Sequence, residues 1–229
     1  GTATVTGSPQ SLVAGANTVT ITGTGTITVN VADKFVERSK NALVLTATSP
    51  TQGNQGRDFN GGGAATDYIL VPHHASQLLT TGLTFIAWIN PASIGETAAR
   101  LLFKGTALPN AAGFSWHLGA ANSLHFSVNA GTAVQSTATI SYGNWHCAAV
   151  TCTSAGSVTH YRNAAQNGTP ASTNALSGIT ATTDLVIGNE NGGTRTWDDK
   201  IGEVLIYNRI LSVAELISFF NATRFRYKV

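Results

Sequence analysis

The sequence predicts an all-β chain closed by one short C-terminal helix, and three observations carry that expectation. Only 10% of the 229 residues are charged, and Thr, Ala, Gly, Ser and Asn supply most of the remaining polarity, a composition of strands and turns more than of exposed helices. Residues 18–31 alternate Thr with Val or Ile around a Gly-Thr-Gly centre, the period of a hairpin with one apolar face. Near the C-terminus, Ile201, Glu203, Leu205 and Tyr207 fall on one strand face and Val204 and Ile206 on the other, so a strand apolar on both faces runs straight into a helical pattern.

Taken in order, residues 2–6 form a short alternating strand that ends at the Ser8-Pro9 turn. The hairpin over 18–31 presents Val19, Ile21, Ile27, Val29 and Val31. Two strands alone are marginal, so that face must be covered by its own sandwich or by a neighbouring subunit. A charged run over 32–40 and an apolar strand over 42–46 follow, then a Gly, Ser, Pro, Gln and Asn rich linker over 48–57. The chain therefore divides into a β arm, residues 1–50, and a main domain, residues 51–229. Within the main domain the apolar pattern pairs Leu118 with Leu124, Trp116 with Phe126 and Phe114 with Val128, which sets His117 opposite His125. Ser212 stands as a helix N-cap with Glu215 three residues on, and Val213, Leu216, Phe219 and Phe220 continue at helical spacing. Arg224, Arg226 and Lys228 read as a solvated tail.

Four runs in the main domain occur in a telling order: Asp58-Phe-Asn-Gly61, the apolar strand from Leu83 through Trp88 to Pro91, Trp145-His-Cys-Ala-Ala-Val150, and Leu185-Val-Ile-Gly188. With the closing run IGEVLIYNRILSVAEL, they resemble the laminin-G-like, concanavalin-A-like jelly-roll family over roughly residues 57–220. The resemblance implies a two-sheet antiparallel jelly-roll β-sandwich with an N-terminal β-hairpin arm and a short C-terminal helix, with Trp88 and Trp145 in its core. The opening stretch SPQSLVAGANTVTITGTGTITVNV resembles, more loosely, Thr/Val/Gly-rich strands at the start of bacteriophage structural proteins.

Bulk properties exclude several classes. A net charge of +2 with scattered basic residues offers no nucleic-acid surface. No apolar stretch approaches a membrane span. The chain contains no methionine, so Gly1 is expected to follow a removed initiator, a processing cut or an engineered boundary. Cys147 and Cys152 lie five apart on one strand, hence on opposite faces and about 16 Å apart, whereas a disulfide needs Cα atoms within about 7 Å. Two free thiols are expected. Sequons occur at Asn167 and Asn221 and matter only in a eukaryotic secretory route.

Glucan-hydrolysing members of the superfamily place paired carboxylates at alternate positions of one strand, because a retaining glycosidase needs nucleophile and acid/base about 5 Å apart. Of the five glutamates, Glu37, Glu96, Glu190, Glu203 and Glu215, none has a second carboxylate two or four residues on along a strand. Binding is expected in place of catalysis. The candidate ligand residues are Trp197, Asn189, Asn191, Arg195 and Asp198, in a polar Gly-rich loop composed like a sugar platform; a loop anchor folded onto the sandwich is the other reading of Trp197. His117 and His125 are a second candidate pair, for a glycan hydroxyl or for zinc, although zinc requires further ligands. The family often holds a structural calcium. Its first acid falls at Gly202 here, leaving Asp58, Asp199 and Glu203 as candidate calcium ligands, with a capped turn and a neutralised Lys200 as the alternative.

The chain is thus expected to be a lectin-like, carbohydrate-binding recognition module without catalysis, set in a bacteriophage virion among capsid or tail subunits, as a homo-oligomer or embedded in the assembly. A purely structural decoration protein, and an accessory module of a secreted, extracellular bacterial enzyme or adhesin, are the alternatives.

Overall fold

The alternating segments condense into two antiparallel sheets. The computed structural model describes residues 45–53, 55–61, 67–96, 98–105 and 111–229; the strand over 2–6, the hairpin over 18–31 and the charged run over 32–40 lie outside the described residues. In chain order the strands are β1 (Thr46–Thr48), β2 (Thr51–Gln52), β3 (Arg57–Phe59), β4 (Tyr68–Val71), β5 (Gly82–Pro91), β6 (Arg100–Lys104), β7 (Phe114–Leu118), β8 (Leu124–Val128), β9 (Val134–Gln135), β10 (His146–Thr153), β11 (Ser157–Arg162), β12 (Ala165–Gln166), β13 (Ala171–Ser172), β14 (Leu185–Ile187) and β15 (Asp199–Tyr207), followed by helix α1 (Val213–Tyr227). A seven-stranded sheet runs β1-β4-β14-β6-β7-β8-β9, and an eight-stranded sheet runs β12-β11-β10-β5-β15-β3-β2 with β13 beside β11. β1, N-terminal to the expected boundary at residue 50, is hydrogen-bonded to β4.

The inward faces of both sheets bury a common core that includes Phe85, Phe114, Trp116, Phe126, Val150 and Trp197. Phe85 is its centre, with its ring 4.9 Å from that of Phe114 and 5.9 Å from that of Phe126. Two of the motif runs meet here. Gly188 has φ +80, and a Cβ on it would lie 2.2 Å from the Phe59 ring, so the glycine after β14 is the seat of the aromatic ring of β3.

A second apolar layer lies on the other face of the eight-stranded sheet, beneath α1. Trp88 stacks on Tyr227 at 4.3 Å and on Phe220 at 5.8 Å, and its indole N–H donates to Thr223 Oγ1 at 3.0 Å. Both tryptophans assigned to the core, Trp88 and Trp145, are in this layer. Its seal depends on the last helical turns, which bury Thr223 and Tyr227, so Arg224 and Arg226 are solvent-exposed as expected but stand on α1 and not on a tail. The helix begins as expected, in a capping box of Ser212 and Glu215.

The facing of β15 differs from simple alternation. Ile201 packs in the inter-sheet core with Val204 and Ile206, while Leu205 and Tyr207 face α1. A register shift between Ile201 and Val204 inserts a bulge at Gly202-Glu203, which moves Ile201 to the opposite face. The bulge is stapled by the Glu203 N–H, which donates to the Tyr227 hydroxyl at 3.0 Å. A Cβ at Gly202 would stand 2.7 Å from that hydroxyl, so glycine is required by close approach.

Strand β10 separates its cysteines as expected: Cys147 packs in the layer beneath α1 with Ala149, and Cys152 in the inter-sheet core with Val150. Both are free thiols, and burial pushes each up to about 12. Thiol titration should therefore find no reactive group in the native chain at pH 8 and two per chain in denaturant without reductant; a mass lower by about two hydrogens with no titratable thiol would contradict the strand assignment.

Candidate functional site

The loop from Asn189 to Asp198 is organised by one side chain. Asn189 is fully buried; its amide donates to Thr196 Oγ1 at 2.8 Å and to the Asp67 carbonyl at 3.3 Å, while its Oδ1 accepts from the Glu190 and Arg195 N–H groups at 2.8 and 3.0 Å. The four bonds fold the loop back on itself. The Trp197 N–H then donates to the Gly188 carbonyl at 2.8 Å, and the ring drops into the inter-sheet core with 0% exposure. Trp197 is accordingly not an exposed sugar platform but the loop anchor of the alternative reading: the apolar ring gains more by filling the core than by standing in water. Asn189 is a brace for the loop with all of its amide group engaged. Asn191 stays on the surface, with its amide donating to the Gly105 carbonyl at 3.0 Å.

The outward side of the seven-stranded sheet carries two rows set by register. One runs Leu70, Val186, Phe103, Ser115, Ser127. The other runs Arg100, His117, His125, Gln135. The facing of His117 and His125 is as expected, with rings 5.1 Å apart and 29° from parallel, and Arg195 lies near enough to His117 for its charge to be felt there. The pair is not open, however. His117 is 9% exposed and bonded at Nδ1 to Ser115 Oγ at 3.1 Å, and His125 is half-buried on Ser123 Oγ at 3.0 Å. Burial above all, then the charges of Arg100, His125, Arg195 and His160, holds the His117 pKa down to about 2. Both imidazoles are held toward the neutral form, His117 enclosed and His125 half-buried. No third ligand joins them: among the described residues no three His, Cys, Asp or Glu side chains are grouped to hold a metal ion.

Carboxylates are scarce on this sheet, since none of its seven strands contains Asp or Glu. Glu190, in the loop after β14, sits beside the histidine row with Oε2 3.5 Å from Arg100 Nε, both side chains being under a tenth exposed, and its other oxygen accepts from Thr194 Oγ1 at 2.7 Å.

The three expected calcium ligands are not brought together in one group of three among the described residues. Asp58 and Asp199 both face the Lys200 ammonium, and Glu203 is paired with Arg226. Each carboxylate already has a cation, and calcium requires six to eight converging oxygens. The neutralised Lys200 of the alternative reading is what the structure contains.

Asp198 is held at one pole of the sandwich by the segment after β5. Its carbonyl accepts from the Ala92 N–H at 3.2 Å, and its Oδ2 accepts from the Ser93 hydroxyl. The loops over 119–123 and 139–145 meet at the same pole, where the Gly143 N–H donates to the Pro91 carbonyl at 2.8 Å and the Ile140 N–H to the Asn122 carbonyl at 2.7 Å. Tyr142, Asn122 and Asn144 here were not among the expected site residues. The signal was present in Ser141-Tyr-Gly-Asn144, an aromatic among turn formers.

Comparison with known proteins agrees with this architecture. Residues 60–217 match the family model of the concanavalin A-like lectin/glucanases superfamily. No curated protein sequence matches the chain significantly. Among solved structures, Trypanosoma rangeli sialidase in complex with sialic acid superposes with a TM-score of 0.63 at 16% identity, over 82% of this chain and 31% of the sialidase. The binding domain of botulinum neurotoxin serotype D/C superposes with a TM-score of 0.63 at 14% identity, over 79% of this chain and 47% of that one. A botulinum neurotoxin type C structure, described with cell entry dependent upon interaction with two ganglioside molecules, gives 0.62 at 15% identity, over 79% and 46%. The chain thus spans less than half of the length of these neighbours, from 31% to 47%, and at such identities the likeness is one of fold.

Proposed function

Because the chain belongs to the concanavalin A-like lectin/glucanases superfamily, we propose that it is a carbohydrate-recognition module that binds without hydrolysing. The observation that carries this reading is the carboxylate-free seven-stranded sheet: a retaining glycosidase needs two carboxyl groups about 5 Å apart, and the carboxylate that sits beside the polar row among the described residues, Glu190, is tied to Arg100. The neighbours described with bound sialic acid and with ganglioside interaction support a sugar as the ligand class. Assembly among virion subunits rests on residues 18–31, outside the described residues, and would appear as a defined oligomer of the full chain in sedimentation.

A glycan array probed with the purified chain, with and without calcium, tests the reading. Binding to a defined subset of glycans, unchanged by chelator, is expected, since Asp58, Asp199 and Glu203 are neutralised by Lys200 and Arg226. Absence of binding to every glycan by a folded sample would contradict it.

A further inference from the structure

Resting on that carbohydrate-binding reading, we propose that the sugar is held at the Tyr142 pole of the sandwich, and that the ligand is an uncharged oligosaccharide. Two aromatic rings are exposed among the described residues, Phe225 at 71% and Tyr142 at 36%. Phe225 stands between Arg224 and Arg226 on α1, where the neighbouring Gln55 amide and Glu203 carboxylate are both already engaged by Arg226. Tyr142 has the polar company that sugar binding needs. Its hydroxyl donates to Asn122 Oδ1, its carbonyl accepts from the Asn144 amide at 3.0 Å, and the next N–H is bonded to Pro91. The ring is therefore fixed at its hydroxyl and along its backbone, so a pyranose face stacking on it would cost little ordering entropy.

Asp198 supplies the second element. One carboxylate oxygen is occupied by Ser93; the other has no hydrogen-bond partner among the described residues, and the side chain is half-buried. It lies near enough to Tyr142 that its charge, after burial, raises the phenol pKa. A carboxylate beside an aromatic plane accepts hydrogen bonds from sugar hydroxyls, and the spare carbonyl of Asn144 and amide of Asn122 extend the edge. The same carboxylate sets the ligand's charge. Glu96 adds a second acid on the adjoining loop, bonded to the Thr196 N–H at 2.8 Å, while the nearby Arg162 is directed to the Thr139 carbonyl at 2.6 Å. An acidic sugar brought to Asp198 would meet like charge, since among the described residues that carboxylate is paired with no cation.

One array of neutral hexose oligosaccharides together with sialylated, sulfated and uronate-bearing glycans, probed with wild type, Tyr142→Ala, Tyr142→Phe and Asp198→Asn, tests this, with the unfolding midpoint of each variant measured alongside. Wild type is expected to retain neutral glycans. Tyr142→Ala and Asp198→Asn should each weaken that binding by about tenfold, the order expected for one stacked ring or one charged hydrogen bond, and Tyr142→Phe should retain most of it. If Tyr142→Ala fails to fold, Asp198→Asn carries the test. Glycan binding that none of these variants alters would overturn the inference while leaving carbohydrate recognition in place, as would preferential binding of acidic glycans by wild type. Absence of any glycan binding would overturn both.

Discussion

Trp197→Ala lowers the unfolding free energy by about 3 to 5 kcal/mol, the cost of removing a large ring from a packed core. The ring is completely buried among the inter-sheet residues, and the Trp197 N–H bond to Gly188 prevents the loop from collapsing freely into the void. Trp197→Phe should cost much less, because it keeps most of the volume and removes an indole N–H that has no hydrogen-bond partner among the described residues. Denaturant unfolding of the two variants checks this. A Trp197→Ala protein as stable as wild type would return the ring to the surface.

Acid destabilises the fold before its carboxylates titrate. Burial pushes the His117 and His160 pKa values down from 6.5 to about 2 and about 4, so both imidazoles are neutral in the folded chain while the unfolded chain takes up protons below about 6.5. Their contribution to stability is complete above that pH and is lost as the pH falls, until about 4 for His160 and about 2 for His117. Each group adds up to about 1.4 kcal/mol per pH unit, so the two together approach about 3 kcal/mol per unit between pH 6 and 5. His73, His125 and His146 are shifted in the same direction. Guanidinium midpoints at pH 7.5, 6 and 5 should fall steeply; a flat profile would mean that water or a counter-charge reaches the histidine row.

What was legible in the sequence was what repeats locally. The facing of His117 and His125 followed from a five-residue apolar alternation on each strand, because a slip of one residue would turn Trp116 and Phe126 to the wrong face. The cysteines separated for the same reason. Trp197 could not be placed this way, since its burial depends on a hydrogen bond to Gly188 and on Asn189 folding the loop. Nor could the bulge in β15, which exists because Tyr227, a turn from the chain's end, bonds Glu203. Tyr142 was missed because exposure of a loop ring is settled by tertiary partners, here Asn122 and Pro91.

Recognition without hydrolysis is tested most directly by recovering a bound glycan after prolonged incubation with the full chain and measuring both the fraction bound and the reducing ends released. The proposed function predicts saturable binding with the glycan recovered intact. Reducing ends that accumulate in proportion to protein concentration and time would contradict it, since they would require a carboxylate pair that the seven-stranded sheet does not contain.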